Sequence, residues 1–523
     1  MTKTILHISA MLVCISLAMS CEAITEEPNT EQTCPDVSEL TGTEKSIDDI
    51  LMQEAVIGEE QPNPYRTENL KKALGEISKQ TKAEYSEDLI ESTHHYVVFL
   101  PECHEHYRRL VLKDDLDLYP YPLDHQVSDG WIMTDPAYSI NGIQHRWTYV
   151  PMDYDLESIG CPYEVLYDVM DLDNCPDPET RSSNIDYTLY QELVKISHQL
   201  CNLSLPEIVQ TKSAVVPSGN ITYRDSTLGK YIGCYGMSVK ARRLTKTSYG
   251  HCDENGDFRC DKSYKHKWDY TVFFSRTDFE MRRDTTSTDE ITLKFSDYHG
   301  PLNLVFSKSS KYIDCIFYCE ILRAACRYYY GAIDGLRRPP YKNELSDRLY
   351  IQAMRGATPS GGTTGFYRHT DTRNSRPTIR VYRDNPFSHD RRSSAEVFNT
   401  TIHELAHASH WNQNPYFFVH SCESKVKESF ATGIGICLTW KYHPSFRWSY
   451  HTIYTGIVED LMDNDNHKAQ SPTIAESVSG FTISEVENSI IGVATWDQWA
   501  DNIVSLYPYN QTVSEVYNLF AIW

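Results

Sequence analysis

Apolar residues at Ile313, Ile316, Phe317, Ile321 and Leu322 recur with a period near 3.6, which predicts a helix that Gly331 ends and that Pro339-Pro340 cannot continue. A second helical stretch is expected over 64–86, and the apolar run "HHYVVFLP" at 94–101 reads as a strand closed by proline. From about 216 the period shortens to two: "GMSVKARRLT", "KWDYTVFF" and "ITLKF" alternate, as half-buried strands do. "TIRVY" at 378–382 is a short strand, residues 394–411 a helix, and 474–523 a helical run. The pattern predicts a multi-domain α+β chain: an N-terminal α+β domain over 64–215, a β block over 216–307 and a mainly helical domain over 308–523.

Within the β block, "HCDENGDFRC" carries Asn255-Gly256, a hairpin signal. A two-residue loop would offset Cys252 and Cys260 by one position. A three-residue loop at 255–257 sets them opposite each other, and the expectation is that loop with a cross-strand disulfide. The strand containing "VKARR", followed by a Tyr-Gly turn and "DENGDF", resembles the carboxypeptidase regulatory-like domain. That resemblance implies a transthyretin-like β-sandwich and no chemistry.

The N-terminus carries Lys3, then an apolar segment from Ile5 to Met19, too short to span a bilayer and suited to a secretory signal. Ser20-Cys21 after Leu17 and Ala18 resembles the lipobox of bacterial lipoproteins, which implies cleavage after residue 20 and a lipid on Cys21. Residues 1–21 are therefore read as a lipoprotein signal and the acidic 22–63 as a linker to the folded body. No other apolar run approaches the length of a membrane span, so membrane attachment is expected only through that lipid, at the outer membrane or cell surface. The formal charge of −23 excludes a nucleic-acid partner, which needs clustered Lys and Arg. Of fifteen cysteines, loss of Cys14 with the signal and use of Cys21 for lipid leaves an odd number. The sequence leaves the oligomeric state open.

The chemistry lies in "NTTIHELAHASHWNQNP", residues 399–415. Ser393-Ser394-Ala395-Glu396 is an S-x-x-E capping box, so a helix starts near Ser394 and puts His403 and His407, four apart, on one face. Two imidazoles so placed can share one Zn²⁺, with Glu404 beside them as general base: the H-E-x-x-H arrangement. His410 lies on the same face, but about 10 Å along the axis from His403, too far for the same ion. The metzincin pattern is excluded, because its glycine and third histidine positions hold His410 and Gln413. A third ligand must come from the next helix, which offers Glu423 and Glu428. Glu428 is preferred, since it shares its face with Ala431, Thr432 and Gly435, small residues that allow close helix approach. Glu423 shares its face with Val426, Lys427 and Phe430.

H-E-x-x-H followed about 20 residues later by a helical Glu resembles the gluzincin class of zinc metallopeptidases. More narrowly, "HELAHASHW" with downstream "ESFA" is similar to the zincin domain of a family of Gram-negative surface lipoproteins described as zinc metalloproteases; there the second motif commonly reads Glu-Ser-Trp-Ala, with Phe430 here for Trp. The resemblance implies a zincin-like catalytic domain over 308–523, Zn²⁺ on His403, His407 and Glu428, Glu404 as base, and protein or glycoprotein substrates. It also implies an oxyanion donor, for which Tyr442, His443, Tyr450, His451 and Tyr454 are equal candidates, and a substrate lying along the strand just upstream, 378–382 by position. The alternative is a zincin fold without turnover, acting as an adhesin or glycan-binding module.

Overall fold

The computed structural model describes residues 47–171, 187–204, 214–283, 290–309, 312–331, 333, 335–339, 348–358, 365–368, 377–413, 415–463, 478–508 and 512–523. The signal segment, Cys21 and the first part of the acidic linker lie outside these residues. The rest of that linker is folded. Helix α1 (Ile47–Met52) buries Ile50 and Leu51, and Trp131 Nε1 donates to Leu51 O at 2.9 Å. Strand β1 (Ile57–Glu60) exposes Gly58, Glu59 and Glu60, so its acids are those of a solvated edge strand rather than of a tether.

Helix α2 (Thr67–Thr81) places Leu70, Ala73, Leu74 and Ile77 at helical spacing on one face. After it come β2 (His94–Phe99), α3 (His104–Val111), β3 (His125–Val127) and β4 (Gly130–Trp131). The short pair β5 (Ser139–Ile140) and β6 (Ile143–Gln144), then β7 (Arg146–Pro151), β8 (Tyr163–Val169) and α4 (Tyr187–Leu200), complete this region. β2 is central in an antiparallel sheet, β7-β2-β8. The apolar face of α2 meets Leu189, Leu193 and Ile196 of α4. His104 and His106 lie in the first turn of α3.

The β block contributes β9 (Ser218–Asp225), β10 (Lys230–Gly233), β11 (Ser238–Arg243), β12 (Lys246–His251), β13 (Asp257–Arg259), β14 (Trp268–Phe273), β15 (Phe279–Arg282), β16 (Thr292–Tyr298) and β17 (Leu302–Phe306). One sheet runs β12-β11-β14-β16-β4; in the other β9 pairs with β10, β13 and, in parallel, β17. The sheets face each other: Tyr270 Oη accepts from Ser218 N at 3.1 Å, and Phe258 packs edge-on against Tyr270.

β12 and β13 belong to different sheets, so residues 252–256 carry the chain across the sandwich instead of closing a hairpin. Cys252 and Cys260 are consequently buried free thiols, not the expected disulfide. Gly256 makes the crossing possible. Its φ is +87°, and a Cβ there would stand 2.2 Å from Ile221 O.

The remaining elements are α5 (Ile313–Tyr330), β18 (Leu349–Met354), β19 (Gly365–Arg368), β20 (Thr378–Tyr382), α6 (Ser394–Gln413), α7 (Pro415–His420), α8 (Ser424–Tyr442), α9 (Ile457–Met462), α10 (Ile483–Ser489), α11 (Trp496–Leu506) and α12 (Val513–Ile522). The sheet here is ordered β15-β18-β20-β19. Strand 378–382 is thus interior, its backbone groups engaged on both sides, and is not the edge strand expected from its position; among the described residues β19 is the edge.

β pairing crosses the expected domain boundaries at both ends of the sandwich: β4 joins its larger sheet, and β15 leaves it to pair with β18. Between sandwich and helices lies α5, buried from Cys315 to Tyr329 on every side. One core runs from Ile221, Val239 and Leu293 through Ile316, Phe317 and Ile321 to Phe398, Ile402, Phe430 and Ile434. Each such side chain contributes about 1.5–3 kcal/mol on leaving water. Residues 47–523 accordingly cluster as one compact unit, a mixed α and β body. Among the described residues no helix is long and apolar enough to cross a membrane.

Candidate metal centre

α6 begins where the sequence sets it. Ser393 N donates to Glu396 Oε2 at 2.7 Å and Glu396 N returns the bond to Ser393 Oγ at 3.3 Å, the reciprocal capping box. The sandwich supplies the next two acceptors: Ser394 N donates to Ser226 Oγ at 2.9 Å and Ala395 N to Thr227 Oγ1 at 3.0 Å. Helix amides that would otherwise lack partners are thereby satisfied, and the helix is fixed to the turn after β9.

With the helix set, His403 and His407 stand one turn apart with their rings edge to face, centroids 4.7 Å from each other. α8 comes close because its facing side is small. A Cβ on Gly435 would lie 3.0 Å from Asn399 Oδ1 and 3.6 Å from His403 Cβ. This approach brings in Glu428. Its Oε2 lies 3.2 Å from His403 Nε2 and 3.3 Å from His407 Nε2, and the two Nε2 atoms are 3.1 Å apart.

These three distances describe a nearly equilateral triangle. Protons cannot satisfy all of it, because an Nε2–H aimed at the carboxylate is not available to the other imidazole, and two such protons would oppose each other. A single cation satisfies all three lone pairs together. The ligand atoms of a tetrahedral ion with bonds of about 2.0–2.1 Å are separated by about 3.3 Å. Among the described residues, His403, His407 and Glu428 are the one group of three or more His, Cys, Asp or Glu able to hold a metal ion. Among the described residues the buried His407 Nδ1 has no hydrogen-bond partner, so the outer hydrogen bond usual for a metal-ligating imidazole is not seen on that ring.

Burial pushes the Glu428 carboxyl up, but the charges and hydrogen bonds of His407 and His403 outweigh it and hold the group well below the ordinary carboxylate range. Glu404 is buried without so close a partner, and burial pushes its carboxyl up to about 8. β19 lies directly on it. A Cβ on Gly365 would stand 2.6 Å from Thr400 Cγ2 and 2.8 Å from Glu404 Oε1, so only glycine lets the edge strand and this carboxylate share the space.

Of the five donor candidates, one is at the site. Tyr442 packs on Phe398, His443 pairs with buried Asp225 at 2.8 Å, Tyr450 bonds Glu459, and His451 is exposed. The Tyr454 ring lies 6.2 Å from that of His403. Burial, then the negative fields of Glu428 and Glu404, push its hydroxyl up to about 12, so it is a neutral O–H donor near neutral pH.

No family model, curated protein or solved structure matches this chain.

The other acidic candidate stands apart. Glu423 is the N-cap residue of α8, and its Oε2 accepts from Trp496 N at 3.0 Å. His410 is wholly buried between Phe418 and Phe430, where burial depresses its imidazole to about 3. The contribution of Gly365 had no signal in the sequence, because it depends on the packing of β19 against helix α6, which lies farther along the chain.

Proposed function

We propose that the chain is a zinc-dependent metallopeptidase that hydrolyses peptide bonds of extracellular proteins or glycoproteins. The observation that carries this reading is the triangle of His403 Nε2, His407 Nε2 and Glu428 Oε2, with the carboxyl of Glu404 on the same helical turn; a cation in the triangle would offset the burial that raises this carboxyl and favour the ionised form a base needs. A zinc ion held there would supply Lewis acidity and draw the pKa of a bound water toward neutrality. Glu404 accepts a proton as water adds to the peptide carbonyl, then returns it to the leaving nitrogen as the C–N bond breaks. Tyr454 donates a hydrogen bond to the oxygen on which charge develops. The edge of β19 that is unpaired among the described residues takes an extended peptide in β pairing, next to Glu404. A site serving only to hold the fold together would not need a base at Glu404 and would usually close with a fourth protein ligand.

The motif resemblance to gluzincins and to zinc metalloproteases among Gram-negative surface lipoproteins supports the same reading. So does the sandwich of 216–307, which we take as transthyretin-like. The lipobox-like segment ending at Cys21 supports lipid anchorage at the outer membrane or cell surface. The test is cleavage of a peptide library, read by mass spectrometry, with the zinc-loaded full chain and its Glu404→Gln variant. Glu404→Gln should keep its zinc and cleave about 10²–10⁴-fold more slowly. Equal cleavage by both proteins, or none by the wild type, would contradict the assignment.

A further inference from the structure

We infer that Ser429, the residue after Glu428, is a positioning residue whose hydroxyl ties down the turn carrying Tyr454, so that one turn of α8 sets both the third metal ligand and the hydrogen-bond donor. This rests on the reading of the site given above.

A serine inside a helix commonly bonds the carbonyl four residues back. Ser429 instead reaches out of its helix. Its Oγ donates to Ile453 O at 3.1 Å, accepts from Thr455 N at 3.3 Å and accepts from Thr455 Oγ1 at 2.8 Å. Thr455 Oγ1 in turn accepts from Ile457 N at 3.4 Å, at the start of α9. Each hydroxyl then has one acceptor for its proton, and each accepts at least one hydrogen bond in return. Ser429 and Thr455 are both fully buried, so water does not compete for these bonds.

The tied residues, Ile453 and Thr455, flank Tyr454 on either side. The turn is closed from the other end by reciprocal backbone bonds, His451 N to Tyr454 O at 2.9 Å and Tyr454 N to His451 O at 3.1 Å. Successive helical residues point about 100° apart, so Glu428 faces the histidines while Ser429 faces the turn. The spacing between the Glu428 carboxylate and Tyr454 is therefore fixed by bonds within one short segment. A donor to a developing charge acts through its placement, and a misplacement of about 1 Å is enough to lose most of its effect.

The experiment compares zinc-loaded full-length wild type with Ser429→Ala, Thr455→Val, Tyr454→Phe and the double variant Ser429→Ala/Tyr454→Phe. Metal content should be unchanged throughout. Ser429→Ala and Thr455→Val should each lower kcat about ten-fold with little change in KM, and the double variant should be no slower than Tyr454→Phe alone. Hydrogen exchange supplies a readout independent of turnover: amides of 451–456 should exchange faster in Ser429→Ala and Thr455→Val, but not in Tyr454→Phe. Losses that add in the double variant, or exchange that does not change, would overturn the role of Ser429. If the wild type cleaves no peptide, the peptidase reading fails, and exchange over 451–456 still decides whether Ser429 holds the turn.

Discussion

Helix α6 meets two buried polar clusters built on opposite rules. At its N-terminus donors and acceptors are nearly matched: Ser393 with Glu396, Ser394 with Ser226, Ala395 with Thr227, and Ser394 Oγ donating to Glu320 Oε1 at 2.6 Å. Nearby, His443 and Asp225 close a buried pair. Farther along the same helix, two imidazole nitrogens and a carboxylate oxygen converge within 3.3 Å with more lone pairs than protons can satisfy. The first cluster fixes the helix to the sandwich, and among its named groups only Glu320 Oε2 and His443 Nδ1 lack a partner among the described residues. The second gathers three ligand atoms that could hold one metal ion. Buried polar groups are thus informative by their donor count, and number or depth of burial alone does not separate structure from chemistry.

The sharpest way to probe the matched cluster is through Glu320. Burial pushes its carboxyl up to about 7, with Arg391 and Ser394 pulling it back. Its ordinary value is 4.5, so over that interval the folded chain holds a proton that the unfolded chain has released. Stability should therefore fall as pH rises from about 4.5 to about 7 and level off above, by on the order of 3 kcal/mol from this group. Glu320→Gln should make that slope shallower in denaturant titrations across pH; an unchanged slope would show that Glu320 is ionised in the folded chain. The smaller effect concerns the cap. Ser226→Ala removes the acceptor of Ser394 N and should lower stability by about 1 kcal/mol while leaving metal content unchanged. Loss of metal in Ser226→Ala would mean that the two clusters are not separate devices.

The convergence of His403, His407 and Glu428 was legible because its rules are local. A capping box, an i,i+4 histidine pair and a glutamate backed by Ala431, Thr432 and Gly435 are all written within single helices. What escaped depends on partners distant in sequence. β1 has acidic, exposed residues, so its pairing with β3 left no mark in composition. The Cys252–Cys260 segment reads as a hairpin until the sheet partners of β12 and β13 are known. α5 carries Glu320, Arg323 and Arg327 and looks amphipathic, yet the sandwich and α6 bury those residues too. The rank of Tyr454 among five candidates is set by the approach of its turn to His403 on another element, and no local pattern contains that.

The central claim is that His403, His407 and Glu428 bind one metal ion and that Glu423 does not take part. Elemental analysis of purified wild-type, Glu428→Ala and Glu423→Ala protein tests it directly. The account predicts about one zinc per chain in wild type and Glu423→Ala and a large loss in Glu428→Ala. Absence of zinc from the wild type after reconstitution, or its full retention in Glu428→Ala, would contradict it.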